Sequence, residues 1–196
     1  NPHTYNIEPD KLEEFINVGC KINRETGELI HRSSGKIVKA IIPVHLYGQM
    51  CRMDEIMRIA GQYNLRVVED CAQSIGAEYR GRRAGSYGDL GTFSFYPTKN
   101  LSTYGDGGLI TTNKKELADY CKMFRAHGSK PKYFHHIVGI NSRLDELHAA
   151  ILTIKFKYLD EWLGKRYEAA QRYRQLFEEY ELTDKVRLPI TEVSKL

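Results

Sequence analysis

This chain has few cysteines, and none of them lie close together. Cys20, Cys51, Cys71 and Cys121 are spread along 196 residues with no C-x-x-C pair. A zinc site gathers ligands at short spacings, so no metal centre is expected. Isolated thiols in a reducing cytoplasm are the expectation instead. Long apolar runs are also missing. No stretch approaches the roughly eighteen residues of a membrane span, so no membrane partner is expected. No basic segment followed by an apolar one opens the chain, so no secretory signal is visible. Nor is charge of one sign in excess. Lys+Arg number 29 against 25 Asp+Glu, a formal net charge of +4. Clustered on one face, that charge could attract a phosphate-bearing ligand, but it is too small to argue for nucleic acid. The first residue is Asn1 rather than Met, as expected of a terminus that is processed, trimmed or missing.

The segments that are present alternate between strand-like and helix-like. This predicts an α/β fold with a mostly parallel sheet. Pro9 to Val18 reads as a short helix with Leu12, Phe15 and Ile16 on one side, and residues 20–36 read as a turn-rich surface excursion with a hairpin. Ile37 to Val44 is nearly continuous apolar, as in a strand covered on both faces. Met53, Ile56, Met57, Ala60 and Tyr63 recur at helical spacing before the next strand, Leu65 to Val68, which completes a βαβ unit. Residues 75–92, with five glycines, read as turns joining short strands. Gly108 to Thr112 reads as a strand and Lys114 to Arg125 as a helix. Then comes the longest helical stretch. Leu144, Leu147, Ile151 and Ile154 set an apolar stripe that Leu163, Tyr167, Ala170, Tyr173 and Phe177 continue, with Gly164 a candidate bend. Leu188-Pro189-Ile190 reads as extended.

One short region carries most of the chemistry. Leu65-Arg66-Val67-Val68 ends in Glu69-Asp70, and Leu90-Gly91-Thr92-Phe93 leads into Ser94-Phe95-Tyr96-Pro97-Thr98-Lys99. In parallel α/β sheets, ligands sit at the carboxyl ends of the strands. An acid at one strand end and a lysine just past another suit pyridoxal phosphate chemistry. The lysine condenses with the aldehyde, and the carboxylate keeps the pyridine nitrogen protonated. On position alone, each residue also has a plain structural reading, as a turn cap or a solvated cation. His45 follows a strand end and is read either as a ligand contact or as a hydrogen-bonded structural histidine. Tyr104 is a candidate for lining a substrate pocket. His135-His136 reads as a surface loop rather than a metal pair, and Tyr104-Gly105-Asp106-Gly107-Gly108 as a tight turn. Arg143 and Asp145 fit either a helix cap or an interface.

Longer motifs narrow this reading. PVHLYGQ, VVEDCAQSIGA, GTFSFYPTKN, STYGDGGLITT and GINSRLDELHAAIL occur in this order. Together they resemble the DegT/DnrJ/EryC1/StrS family of nucleotide-sugar aminotransferases over nearly the whole chain. The resemblance implies the type I aminotransferase fold, with pyridoxal 5'-phosphate as cofactor and a homodimer whose active sites lie at the subunit interface. Residues 1–142 would be the central part of the large domain, and residues 143–196 a long helical connection into a small C-terminal domain. Carried over, Lys99 is the covalent anchor, Asp70 the partner of the pyridine nitrogen and Gln73 the amide near the phenolic oxygen. Ser94 is a phosphate-binding hydroxyl, and Asn141 reaches the phosphate of the neighbouring subunit's cofactor. The implied reaction transfers nitrogen, with glutamate as donor, to a nucleotide-linked keto-sugar, for cytoplasmic assembly of polysaccharide, glycoconjugate or antibiotic. Two alternatives stand beside it. One is a sugar dehydratase, where family members typically carry histidine in place of the lysine. The other is a non-catalytic remnant, because the family's phosphate-anchoring helix start, stacking aromatic and small domain are not within these residues. A fragment of a longer protein is the favoured expectation.

Overall fold

The computed structural model describes residues 1–191 and the backbone of residues 194–195. Helix α1 (Pro9–Gly19) begins at a proline, whose missing N–H costs nothing in a first turn, and it buries Ile16. Strands β1 (Cys20–Ile22) and β2 (Leu29–His31) form the expected antiparallel hairpin. Strand β3 (Ala40–Ile41), helix α2 (Met53–Gln62) and strand β4 (Arg66–Asp70) form the βαβ unit, with β3 and β4 parallel. Helix α2 buries Met53, Ile56, Ile59 and Ala60, so the apolar spacing does mark its inner face.

Strands β5 (Glu78–Tyr79) and β6 (Arg82–Arg83) make a small hairpin, and the two-residue β9 (Ser194–Lys195) pairs with β5. Strands β7 (Leu90–Ser94) and β8 (Gly108–Thr111) complete the main sheet, whose order is β3-β4-β7-β8. β4 and β7 are parallel and β8 runs against β7, so the sheet is mixed. Along β4, Val67 and Glu69 are buried on the α2 side while Val68 and Asp70 are half-buried on the other. This alternation sets the two faces of the site.

Two expectations need correction. The strand over residues 37–44 is paired only at Ala40–Ile41, with single bridges at Ile37 and Val44. It is not covered on both faces, since Ile42 is 62% exposed. β3 is the edge of its sheet, and Pro43 has no N–H to extend the ladder. The second correction concerns the long helix. Helix α3 (Lys115–Phe124) is followed by two helices, α4 (Glu146–Phe156) and α5 (Leu159–Glu179). The break falls at Lys157–Tyr158, where each amide bonds three residues back, to Ile154 and Lys155. Gly164 lies inside α5, with open space where a Cβ would project. The stripe shifts accordingly. Leu152 and Leu159 are buried against Phe95 and Leu101, whereas Leu147 and Ile154 are 72% and 61% exposed. The packing face of α4 is set by the loop after β7, which helical periodicity cannot see. Residues 188–190 lie outside any helix or strand, and Arg174 donates to the Pro189 carbonyl at 2.9 Å.

Candidate active site

Asp70 closes β4 and is register partner to Thr92 on β7. Paired residues of a parallel ladder point to one side, so Ser94, two residues beyond Thr92, shares the Asp70 face. Asp70 accepts from the Ala72 N–H through Oδ1 at 3.0 Å, and Oδ2 carries no hydrogen bond among the described residues. The Ser94 hydroxyl accepts the Tyr96 N–H at 3.3 Å, which leaves its own proton to give.

The lysine sits on a closed excursion. Phe95 N–H donates to Gly107 O at 2.7 Å and Thr103 N–H to Phe95 O at 2.8 Å, which pinches the loop at its base. Lys99 lies within the pinched loop, where its N–H closes a turn on Tyr96 O at 2.9 Å. Lys155 of α4 holds the loop from the other side, donating from Nζ to Ser102 O at 2.6 Å and Ser102 Oγ at 2.9 Å. Lys155 was not singled out from sequence, because nothing local distinguishes it from other helix-surface lysines.

Lys99 and Gln73 both line a cavity of about 470 Å³, together with Tyr47, Ala72, Thr98 and Arg166. The Lys99 ammonium has no partner among the described residues. Gln73 Oε1 accepts the Tyr47 N–H at 2.8 Å, which fixes the flip of the amide and turns its two N–H donors elsewhere. Tyr47 itself adopts φ 58°, a left-handed backbone uncommon outside glycine. Its neighbours hold it there: Asn6 accepts the Leu46 N–H at 3.0 Å and donates to Gln49 O at 2.8 Å. The backbone role of Tyr47 and the clamp by Asn6 have no sequence signature.

Three sequence candidates fall elsewhere. His45 is 0% exposed. Its Nδ1 accepts the Cys51 N–H at 3.2 Å, so Nε2 carries the proton and faces Glu69 Oε2 at 3.1 Å. Both ring nitrogens are used, and the structural reading replaces the ligand-contact one. Tyr104 is 81% exposed beneath the Lys155 ammonium and is not among the cavity-lining residues, which corrects its placement there. Asn141 is exposed on a loop bridged to Ala126, with Oδ1 accepting from Arg143 Nε at 3.0 Å. His135 bonds only locally, its Nδ1–H donating to the His127 carbonyl at 2.9 Å.

Beneath Asp70 lies a buried acid that the sequence reading passed over. Glu69 Oε1 accepts the N–H groups of Tyr87 and Gly88, both at 2.7 Å, and Oε2 accepts Gly85 N–H at 3.0 Å besides His45. Burial pushes its pKa up, but His45 and the N–H groups of Gly88, Gly85 and Tyr87 outweigh that and hold it below the ordinary carboxylate value. His45, Glu69 and Cys71 could in principle gather a metal ion, since their ligand atoms lie within 4.8 Å of one another. The geometry argues against it. All acceptor positions on Glu69 are filled, and burial, then the neighbouring Glu69 charge, pushes the Cys71 thiol up to about 12.

The chain resembles known proteins over most of its length. The model of the DegT/DnrJ/EryC1/StrS aminotransferase family matches residues 1–194. A pleiotropic regulatory protein of Geobacillus stearothermophilus is 49% identical over 91% of this chain and 43% of its own length. The dTDP-3-amino-3,6-dideoxy-alpha-D-galactopyranose transaminase of Aneurinibacillus thermoaerophilus is 52% identical over 87% of this chain and 42% of its own. The structure of NtdA from Bacillus subtilis with bound cofactor PMP superposes with a TM-score of 0.78 at 36% identity, covering 97% of this chain and 39% of that one. The chain thus spans about two fifths of the length of these relatives. No described helix is long and apolar enough to cross a membrane. With the match running through both strand ends and the lysine loop, the chain belongs to the DegT/DnrJ/EryC1/StrS aminotransferase family.

Proposed function

We propose that the full-length protein transfers an amino group, with glutamate as donor, to the keto group of a nucleotide-linked sugar, using pyridoxal phosphate. One observation carries this reading: an unpartnered lysine on a pinched loop shares a cavity with Gln73, and Asp70 ends the neighbouring strand with a free carboxylate oxygen. The donor set suits the cofactor. Lys99 offers a primary amine, Asp70 an anion for a ring nitrogen, Gln73 two N–H donors for a phenolic oxygen and Ser94 a hydroxyl proton for phosphate.

Pyridoxal phosphate held there would supply an aldehyde to carry the amino group and a ring to withdraw electrons. The chain's own residues do the rest. Asp70 holds a proton on the ring nitrogen, and Gln73, its flip fixed by Tyr47, orients the phenolic edge. Lys99 would hold the aldehyde through its amine and would move the proton between substrate and cofactor carbons. Asn141 lies outside this cavity, which suits service to a neighbouring subunit in a homodimer. Residues 143–191 would lead from the large domain toward a small one.

Incubating the full-length protein with glutamate and a nucleotide-linked keto-sugar should yield 2-oxoglutarate and amino sugar in equal amounts. Loss of water from the sugar without 2-oxoglutarate would replace this reading with the dehydratase one.

A further inference from the structure

We propose that Glu69 and His45 form an internal brace that sets the positions of both Asp70 and Gln73, and that they are positioning residues for the cofactor. The inference rests on the cofactor reading above. The connections run in two directions from one buried pair.

Toward Asp70 the path is short. The Glu69 carboxylate fixes the His45 ring, and the His45 backbone N–H donates to the Asp70 carbonyl at 3.0 Å. Asp70 N–H in turn donates to Pro43 O at 2.9 Å, so the end of β4 is stitched to the segment carrying His45. Toward Gln73 the path runs through the loop. His45 Nδ1 accepts the Cys51 N–H and closes residues 45–51 into a ring. That ring contains Tyr47, whose N–H holds Gln73 Oε1. On its far side Glu69 seats the turn at residues 85–88. Gly88 approaches so closely that a Cβ there would lie 2.6 Å from the Val67 carbonyl oxygen. Glu69 therefore ties together three segments that meet only in the fold.

The pair is not interchangeable with polar look-alikes. In Glu69→Gln the new NH₂ must replace either Oε1 or Oε2, and each of those oxygens faces two N–H donors. Either orientation sets donor against donor in a buried site. His45→Phe keeps the ring volume but removes the link from Glu69 to the loop. Asp89→Asn is the control. Asp89 also ties a carboxylate to the β4 backbone, accepting Val67 N–H at 2.8 Å, but near the opposite end of the strand.

The test uses the full-length holoenzyme and reads the equilibrium dissociation constant for pyridoxal phosphate and the visible circular dichroism of the bound cofactor. Wild type must first show that visible band, with reduction fixing the label on Lys99; failure here removes the cofactor reading itself. Given it, Glu69→Gln and His45→Phe should weaken binding about tenfold or more, the scale on which losing an outer partner of a ligand-holding group costs affinity. Both should also at least halve the visible band, while Asp89→Asn lowers the melting temperature and leaves both readouts within twofold. Folded Glu69→Gln and His45→Phe proteins with near-native affinity and band would overturn the brace, as would equal effects from Asp89→Asn. If neither variant folds, the wild-type ¹⁵N spectrum of His45 decides. The Nε2–H tautomer at neutral pH supports the brace, and an Nδ1–H tautomer or an imidazolium overturns it.

Discussion

The two halves of the chain are built to different standards of closure. From α1 to β7, the α2 side of the sheet is sealed by Ile16, Met53, Ile56, Ile59, Val67 and their neighbours in one continuous core. From β8 onward, burial is sparse. Helix α3 has no buried residue, α4 buries Leu152 and α5 buries Leu159. Leu109 and Ile110 on β8, and Val138 on the loop before α4, are exposed. Both halves carry helical apolar periodicity, so the pattern alone does not distinguish them. Periodicity states which face an element would bury, while only the fold states whether anything covers it. The site lies at the seam. Asp70 and Gln73 come from the sealed half, and Lys99 from a loop held by the open half through Lys155.

The largest effect should come at the seam. Asp70→Asn keeps the size of the side chain but removes its charge. Breaking a buried charge pair costs on the order of 3–5 kcal/mol, which, if it all appears in the barrier, slows turnover by roughly two to four powers of ten. Steady-state kinetics of the full-length variant check this, and near-normal turnover would mean that another acid protonates the ring. A pair of truncations breaks or sharpens the comparison itself. Ile59→Ala in the sealed core should cost about 2–5 kcal/mol of stability in denaturant titration. Ile154→Ala, on an exposed face, should stay within about 0.5 kcal/mol. A large loss at Ile154 would show that the open half is covered in the full-length protein.

Two smaller effects probe the sealed half. Gly88→Ala would place a Cβ 2.6 Å from the Val67 carbonyl, so the turn or the strand must shift. The expected cost is about 1–3 kcal/mol, read as a lower midpoint of unfolding. Burial, first of all, pushes the Cys51 and Cys71 thiols up to about 12. Such a proton is held more tightly folded than unfolded. The contribution is therefore complete below the unfolded thiol pKa of about 8.5 and is lost as pH rises toward about 12. Alkylation of the native protein should spare Cys51 and Cys71 and mark the less buried Cys121 first, as peptide mapping would show.

Much of this was legible in the residues. Helix α2, the βαβ unit, the hairpin at β1–β2 and the turn-rich stretch before β7 follow from apolar spacing and glycine placement, which are local signals. The apolar runs also placed Asp70 at the end of β4 and Lys99 in the loop beyond β7, on the side where parallel sheets put ligands. What escaped was non-local. The exposure of Ile42 depends on β3 being an edge, and the break at Lys157–Tyr158 depends on how α4 packs against Phe95 and Leu101. His45 was open to both a ligand-contact and a structural reading because it follows a strand. Its burial, and the four donors around Glu69, exist only once the 85–88 turn folds back beneath β4.

The most direct test of the account is where the cofactor attaches. The full-length protein should be yellow with pyridoxal phosphate, and borohydride reduction followed by peptide mapping should place the covalent label on the peptide containing Lys99. A label on Lys114, Lys122 or any other lysine would contradict the assignment on which the site is built.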